Sequence, residues 1–89
     1  MTLHVRAEPT PNPNAVRLAL SAPVLGDRPR SFSDAAGAAA EPWAARLLAI
    51  PGVASVFALR DFLTLTKTAG ASWDAILPKA LEVVAKDLG

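Results

Sequence analysis

The sequence of 89 residues contains no cysteine, and this absence excludes several classes of function at once. Without a thiolate the chain cannot form a disulfide, use a cysteine nucleophile, or hold a metal or cluster through sulfur. Histidine occurs once, as His4, at an outward position of a predicted strand. A single histidine is a poor basis for acid–base catalysis or for a metal site, because both require several positioned groups.

Other signatures of catalysis are also missing. The five glycines form neither a dinucleotide-binding nor a phosphate-binding motif, and none of the eight carboxylates is spaced to force a pair. We therefore predict no enzyme, no metal site and no directly bound cofactor. An enzyme or small metal-binding protein that combines His4 with distant carboxylates stays open as an alternative.

Charge and hydropathy restrict the partners. A net charge of +1 argues against nucleic acid as a partner. No apolar run approaches the roughly 18 residues that a membrane span requires, and the first nine residues lack the apolar core of a signal peptide. We expect a soluble, cytoplasmic protein that binds no membrane. With 52% hydrophobic and 19% charged residues, positions 1–89 are predicted to form one globular domain.

The stretch Val53–Lys67 predicts a β-hairpin, because two alternating runs flank the polar pair Arg60-Asp61. A loop of two or four residues gives the same two faces, and a loop of three would swap the faces of one strand. Arg-Asp suits a two-residue turn poorly, since neither residue favours a positive φ. The predicted apolar face consists of Ala54, Val56, Ala58, Leu63 and Leu65.

The remaining elements are predicted from alternation, helical periodicity and capping residues. Glu41-Pro42 suits a helix start and Ser72 suits an N-cap, whereas Pro78 should kink or restart the last helix. Together they predict an α+β domain whose antiparallel sheet of four to five strands carries two main helices on one face. The predicted ranges are strands at 3–7, 15–20 and 30–32, a capped alanine-rich turn at 34–40, and helices at 42–50 and 73–88.

Both predicted helices pack on the first face of the sheet, so neither is left to cover the second face. Among the remaining segments, only the loop at 23–32 is long enough to reach it. Rings such as Phe57 and Phe62 beside arginines have the composition of protein interfaces. The three prolines at 9–13 predict a stiff, ordered loop or a wide hairpin connection beside this face. The alternative that both faces are covered stays open. The predicted interaction surface comprises Arg6, Thr10, Pro11, Asn12, Pro13, Asn14, Arg17, Phe57, Phe62, Thr64 and Thr66.

Several motifs occur in series along the chain. They are Thr10-Pro-Asn-Pro-Asn14, Pro23-Val24-Leu25, Leu47-Leu48-Ala49-Ile50, Gly52-Val53-x-Ser55-Val56-Phe57, Asp61-Phe62-Leu63-Thr64-Leu65-Thr66-Lys67, and Trp73-Asp74 with Pro78. In this order they resemble the N-terminal domain of Nfu/NifU-type iron–sulfur scaffold proteins over nearly the whole chain. The resemblance implies an α+β domain with an antiparallel sheet covered by helices, and iron binding as a property of the family.

The resemblance also limits the expected function. In this family the cluster chemistry belongs to a separate C-terminal domain with a Cys-x-x-Cys motif, and these 89 residues contain no such motif. We expect a stand-alone, non-enzymatic accessory module that meets an iron–sulfur cluster only through a partner. The expected partner is an iron–sulfur scaffold, carrier or client protein, and a weak homodimer is a further expectation. A self-associating structural domain without an iron–sulfur role stays open, because fold alone does not fix function.

Overall fold

The computed structural model describes residues 3–34, 37 and 41–88, in which five antiparallel strands form one sheet. The strands are β1 (Val5–Pro9), β2 (Ala15–Leu20), β3 (Arg30–Phe32), β4 (Val53–Leu59) and β5 (Phe62–Lys67). Their spatial order is β1-β2-β5-β4-β3. The helices are α1 (Pro42–Leu48) and α2 (Trp73–Asp87). The predicted α+β architecture is confirmed.

The β4–β5 hairpin has the predicted faces. Leu59 pairs with Phe62 and Val56 pairs with Leu65, so the loop contains only Arg60 and Asp61 and the register that would swap faces does not occur. Arg60 has a φ of 51° and is therefore in the left-handed conformation. This is the conformation that a two-residue turn requires and that arginine does not favour. The segment before β3 braces this turn, because Arg60 N donates to the carbonyl oxygen of Gly26 at 2.8 Å.

The strained turn leads to a stability prediction. The left-handed conformation costs an L-residue about 1–2 kcal/mol. Glycine avoids this strain, but its greater freedom in the unfolded chain offsets part of the gain in stability. Arg60→Gly should therefore raise the free energy of unfolding by up to about 1 kcal/mol, measured by urea denaturation. Arg60→Ala is the matched control, because it removes the same side chain and keeps the strain. If the free energy of unfolding rises equally in both variants, the cause is the loss of the arginine side chain and not the relief of backbone strain.

The start of β4 differs from the prediction. The register shifts between Val53 and Ser55, as in a β-bulge, and Ala54 is exposed instead of facing the core. Val53 packs against the core cluster in its place. A bulge adds one residue to one strand, so the residues beyond it point to the opposite faces from those that strict alternation predicts. The repeat of apolar residues in the sequence does not reveal such an insertion.

The two helices begin where their capping residues predicted. Pro42 occupies the first turn of α1, and the hydroxyl oxygen of Ser72 accepts a hydrogen bond from Asp74 N at 3.2 Å at the start of α2. Of the kink or restart expected at Pro78, the restart does not occur, because α2 continues through Pro78 to Asp87. Both Asp74 and Pro78 are exposed, so water can reach the Asp74 carbonyl group that the proline leaves without a helical partner.

One hydrophobic core lies between the helices and the face of the sheet that they cover, here called the inner face. The strands contribute alternate residues, and the helices contribute their buried stripes. The predicted turn at 34–40 falls largely outside the described residues; within them, Gly37 N donates to Asp34 Oδ1 at 2.6 Å. The buried core comprises Val16, Leu18, Leu20, Leu25, Trp43, Ala44, Leu47, Ile50, Val56, Ala58, Leu63, Leu65, Ile76, Ala80 and Val84.

The edges of the sheet are short or interrupted. β1 begins and ends two residues later than predicted and includes Pro9, which an edge strand tolerates because one side of it makes no ladder bonds. β3 has only three residues. Within the described part of the chain, neither helix combines the length and the apolar character needed to cross a bilayer.

Candidate protein-interaction surface

The face of the sheet opposite the helices, here called the outer face, is organised in rows that run across the strands. Successive rows are two residues apart along each strand, or about 7 Å. The first row contains Arg6, Ala19, Phe62 and Leu59; the second contains Glu8, Arg17, Thr64, Phe57 and Ser31; and the third contains Ala15, Thr66 and Ser55.

Two aromatic rings and an arginine form a cluster in the first two rows. The ring centroids of Phe57 and Phe62 are 6.0 Å apart, and the guanidinium carbon of Arg17 lies 4.4 Å from the centroid of Phe62. Both geometries are favourable for aromatic and cation–π interactions. The rings take no part in the core cluster. We call Arg17, Phe57 and Phe62 the aromatic cluster.

The outer face is more sheltered than the sequence indicated. Arg6 and Arg17 are exposed as expected, but Phe57 and Phe62 are half-buried. Ser55, Thr64 and Thr66 are half-buried as well. The rings shield one another, and Arg17 lies over Phe62, so these contacts remove part of the ring area from water.

Glu8 links the two arginines of the outer face. Its carboxylate oxygens lie 3.1 Å from Arg6 Nη2 and 3.9 Å from Arg17 Nε. The Arg6 side chain is 78% exposed and that of Arg17 is 49% exposed, so each ion pair contributes little to stability. Their effect is to orient two guanidinium groups on one side of the sheet.

The segment at 10–14 is the connection of the β1–β2 hairpin, and its own side chains bond to its backbone. Thr10 Oγ1 accepts a hydrogen bond from Asn12 N at 3.1 Å, and Asn12 Oδ1 accepts one from Asn14 N at 2.9 Å. Thr10 Oγ1 also lies 3.0 Å from the carbonyl oxygen of Ala15, where β2 begins. These bonds give the loop a defined conformation of its own.

Contacts from distant parts of the chain anchor this loop. Lys67 donates to Asn14 twice, from N to O at 2.8 Å and from Nζ to Oδ1 at 3.1 Å. Trp73 Nε1 donates to the carbonyl oxygen of Pro13 at 3.1 Å. Sequence patterns assign Trp73 to the core or its edge and do not reveal this bond, because nothing local links residues 60 positions apart. The exposed tip of the loop is formed by Pro11, Asn12 and Pro13.

The prolines of this loop should contribute to stability. Each proline restricts the unfolded chain, so Pro11→Ala together with Pro13→Ala should lower the free energy of unfolding by about 1–2 kcal/mol. The measurement is the melting temperature by circular dichroism, with the strand signal of the sheet expected to persist. An unchanged melting temperature would show that the order of the loop comes from its hydrogen bonds alone.

The predicted interaction residues fall into two groups. The aromatic cluster lies in the first and second rows, nearer the Arg60-Asp61 turn, and the loop at 10–14 adjoins the third row. Thr64 lies between Arg17 and Phe57 in the second row, and Thr66 lies beside Ala15 in the third. The outer face connects the two groups, but they are not a single cluster of touching side chains.

The inner side of the domain carries a second polar cluster, which the sequence did not predict. The guanidinium group of Arg30 contacts the carboxylate of Glu41, and its Nη2 donates to the carbonyl oxygen of Leu25 at 2.7 Å. Trp43 Nε1 donates to the second carboxylate oxygen of Glu41 at 3.0 Å. These bonds fasten β3 and the preceding loop to the start of α1, which is a structural role.

Titratable groups provide no metal site in the part of the chain that the structure describes. No group of three or more histidine, aspartate and glutamate side chains is placed to hold a metal ion there. His4 is exposed, and its backbone N donates to Ser21 Oγ at 2.9 Å. On the water-facing side of α2, the hydrogen bond and the charge of Lys86 lower the pKa of Glu82, and Glu82 raises the pKa of Lys86.

Comparison with known proteins gives consistent matches. Residues 5–88 match the family described as "Scaffold protein Nfu/NifU N terminal". NifU-like protein 5, mitochondrial, from Arabidopsis thaliana is 32% identical over 83 residues, which are 93% of this chain and 30% of the relative. The NFU1 iron-sulfur cluster scaffold homolog, mitochondrial, from Homo sapiens is 36% identical over 77 residues, or 85% and 30% of the two chains.

Solved structures show the same fold. The crystal structure of protein SAV1430 from Staphylococcus aureus has a TM-score of 0.79 at 26% identity, over 93% of this chain and 98% of that one. The NifU-like protein from Saccharomyces cerevisiae has a TM-score of 0.84 at 23% identity, over 96% and 77% of the two chains, and shows the fold alone. The chain spans about a third of the curated relatives it matches. Several of those relatives are named as mitochondrial, and the cytoplasmic location stays a prediction.

Proposed function

Because the chain belongs to the Nfu/NifU N-terminal family of iron–sulfur scaffold proteins, we propose that it is a protein-interaction module that docks on a partner through its outer face and does not ligate the cluster itself. The partner proposed is an iron–sulfur scaffold, carrier or client protein. The cluster would then be the cargo of the partner.

The donor set of the chain does not fit an iron–sulfur cluster. Cluster irons are held by cysteine thiolates, with histidine replacing cysteine in some centres, and the chain has no cysteine and one histidine. The described residues add no carboxylate and histidine group that could replace those ligands. We therefore assign no step of cluster chemistry to this chain.

The observation that carries the proposal is the aromatic cluster on the sheet face opposite α1 and α2. Phe57 and Phe62 lie outside the core, and Arg17 lies over the ring of Phe62. Phenylalanine, like the other aromatic residues, and arginine are enriched in the buried centre of protein interfaces. Half-buried rings also lose little conformational entropy on docking, because their neighbours already hold them.

Capture of partners tests the proposal. Purified protein coupled to a resin should enrich iron–sulfur assembly or client proteins from native lysate, identified by mass spectrometry. The double variant Phe57→Ser with Phe62→Ser should lose them, and Val24→Ser should keep them. Val24 is 43% exposed, and in the loop before β3 it lines a cavity together with Glu41 and Trp43, on the side of the domain that carries α1. Equal capture by all three proteins, or no iron–sulfur protein among those captured, would contradict the proposal.

Metal analysis provides a separate prediction. After anaerobic incubation with iron and sulfide and then gel filtration, the protein should retain neither stoichiometric iron nor the visible absorption of a cluster. A family relative that contains the Cys-x-x-Cys motif, treated in parallel, should retain both. Iron that stays with the present chain in stoichiometric amount would disprove the non-ligating role and favour the alternative built on His4 and carboxylates.

A further inference from the structure

The outer face contains a notch over Ala19. In the first row Ala19 lies between Arg6 and Phe62, so a methyl group separates two large side chains. A cavity of about 350 Å³, open to solvent, lies at Ala19 and extends to the His4 and Ser21 ends of β1 and β2; Phe62 does not line it but is the cross-strand neighbour of Ala19. The cavity is lined by His4, Val5, Arg6, Ala19, Leu20 and Ser21.

Hydrogen-bond donors line this notch. Ser21 Oγ accepts from His4 N at 2.9 Å, which leaves its own hydrogen free to donate, and Ser21 N donates to the carbonyl oxygen of His4 at 2.9 Å. These two bonds fix His4 and Ser21 relative to each other. The guanidinium group of Arg6 has five N–H donors and contacts Glu8 through Nη2, so further donors remain.

The charge around the notch is unbalanced in favour of an anion. None of the residues that line it is acidic. The ion-paired group beside it contains two arginines, Arg6 and Arg17, and one glutamate, Glu8. A carboxylate from another molecule would balance the single net positive charge of this group and bring its net charge to zero, whereas a doubly charged phosphate would leave it with an excess negative charge. The net charge of +1 on the whole chain offers little general attraction for nucleic acid.

We propose that the notch receives an aspartate or glutamate side chain of the docking partner, with an adjacent apolar side chain of the partner packed against Phe62. The carboxylate accepts hydrogen bonds from Arg6 and Ser21, and Ala19 provides the space for it. This inference rests on the proposed function and adds the partner's chemistry to it: an exposed segment in which an acidic residue neighbours an apolar one.

Nuclear magnetic resonance titration with defined probes tests the notch without knowledge of the partner. The probe is a blocked tetrapeptide of glycine, glutamate, leucine and glycine, compared with the same peptide carrying glutamine and with inorganic phosphate, each up to about 10 mM. We expect the backbone amide signals of Arg6, Ala19 and Ser21 to shift and saturate with the glutamate peptide alone. Equal shifts with the glutamine peptide, larger shifts with phosphate, or no shift with any probe would overturn the proposal.

Variants locate the site. Ala19→Leu fills the notch while keeping every charge, and it should abolish the shifts. Arg6→Gln should weaken binding of the glutamate peptide roughly tenfold, as expected for the loss of a charged hydrogen bond. Ala85→Leu, at an exposed position of α2, is the control and should bind as the unaltered protein does. Binding that survives Ala19→Leu in a protein folded by circular dichroism would overturn the proposal.

The same variants separate the two proposals in the capture experiment. If Phe57→Ser with Phe62→Ser abolishes capture of the partner and Ala19→Leu does not, the outer face is the docking site and the acidic subsite is wrong. If neither variant affects capture, the proposed function itself is wrong.

Discussion

Replacing Gly52 with alanine should lower the free energy of unfolding by about 2–4 kcal/mol. Gly52 ends the connection from α1 to β4 with a φ of +98°, which L-residues rarely adopt. A Cβ atom there would lie 2.6 Å from the Cβ of Ala71 and 3.2 Å from Cδ1 of Ile76, which is buried. Backbone strain and overpacking therefore act together. Urea denaturation followed by circular dichroism measures the loss.

Gly70→Ala is the matched control for this substitution. A Cβ atom at Gly70 would meet nothing within 4 Å, so the variant should stay within about 0.5 kcal/mol of the unaltered protein. Adding Ala71→Gly to Gly52→Ala should recover the part of the loss that comes from the clash but not the part that comes from φ. A Gly52→Ala protein as stable as the Gly70→Ala protein would show that the connection is packed differently.

The adjacent residues Leu63 and Phe62 should differ strongly in their contribution to stability. Leu63 is 0% exposed on the inner face, and Leu63→Ala should cost about 3 kcal/mol through lost burial and the cavity left behind. Phe62 is half-buried on the outer face, and Phe62→Ala should cost about 1 kcal/mol, the scale of its interactions with Phe57 and Arg17. Thermal and urea denaturation of both variants measure the difference.

The same comparison tests the assignment of faces. Because Phe57 and Phe62 shelter each other, their double substitution by serine should cost about 1–2 kcal/mol, more than two freely exposed rings would. A loss of about 3 kcal/mol or more for Phe62→Ala alone, the scale of emptying a buried aromatic site, would show that these rings are core. The outer face would then be unsuitable for docking.

The sequence predicted the features that depend on local patterns. Alternation assigned the faces of β4 and β5, since both plausible loop lengths gave the same register. The capping residue Ser72 and the initial Pro42 marked the helix starts, because an N-cap and a first-turn proline act within a few residues. The absence of cysteine excludes thiolate chemistry whatever fold the chain adopts.

Other features depend on contacts that no local pattern encodes. The bulge at Val53–Ser55 exposes Ala54 although the apolar repeat places it inside. The positive φ of Arg60 is tolerated because a distant segment, at Leu25 and Gly26, bonds to its backbone. The notch over Ala19 depends on the pairing of β1 with β2, which brings His4 and Arg6 beside Ala19 and Ser21. Each of these requires the sheet to be assembled first.

The central claim is that the outer face is the docking site, and the most direct test is the affinity of a captured partner for variants of that face. Isothermal titration calorimetry should show that Phe57→Ser with Phe62→Ser weakens binding by roughly tenfold or more, the scale of a lost hot spot. Val24→Ser should leave the dissociation constant within about twofold. An unchanged dissociation constant for the double variant, with its fold intact by circular dichroism, would contradict the claim.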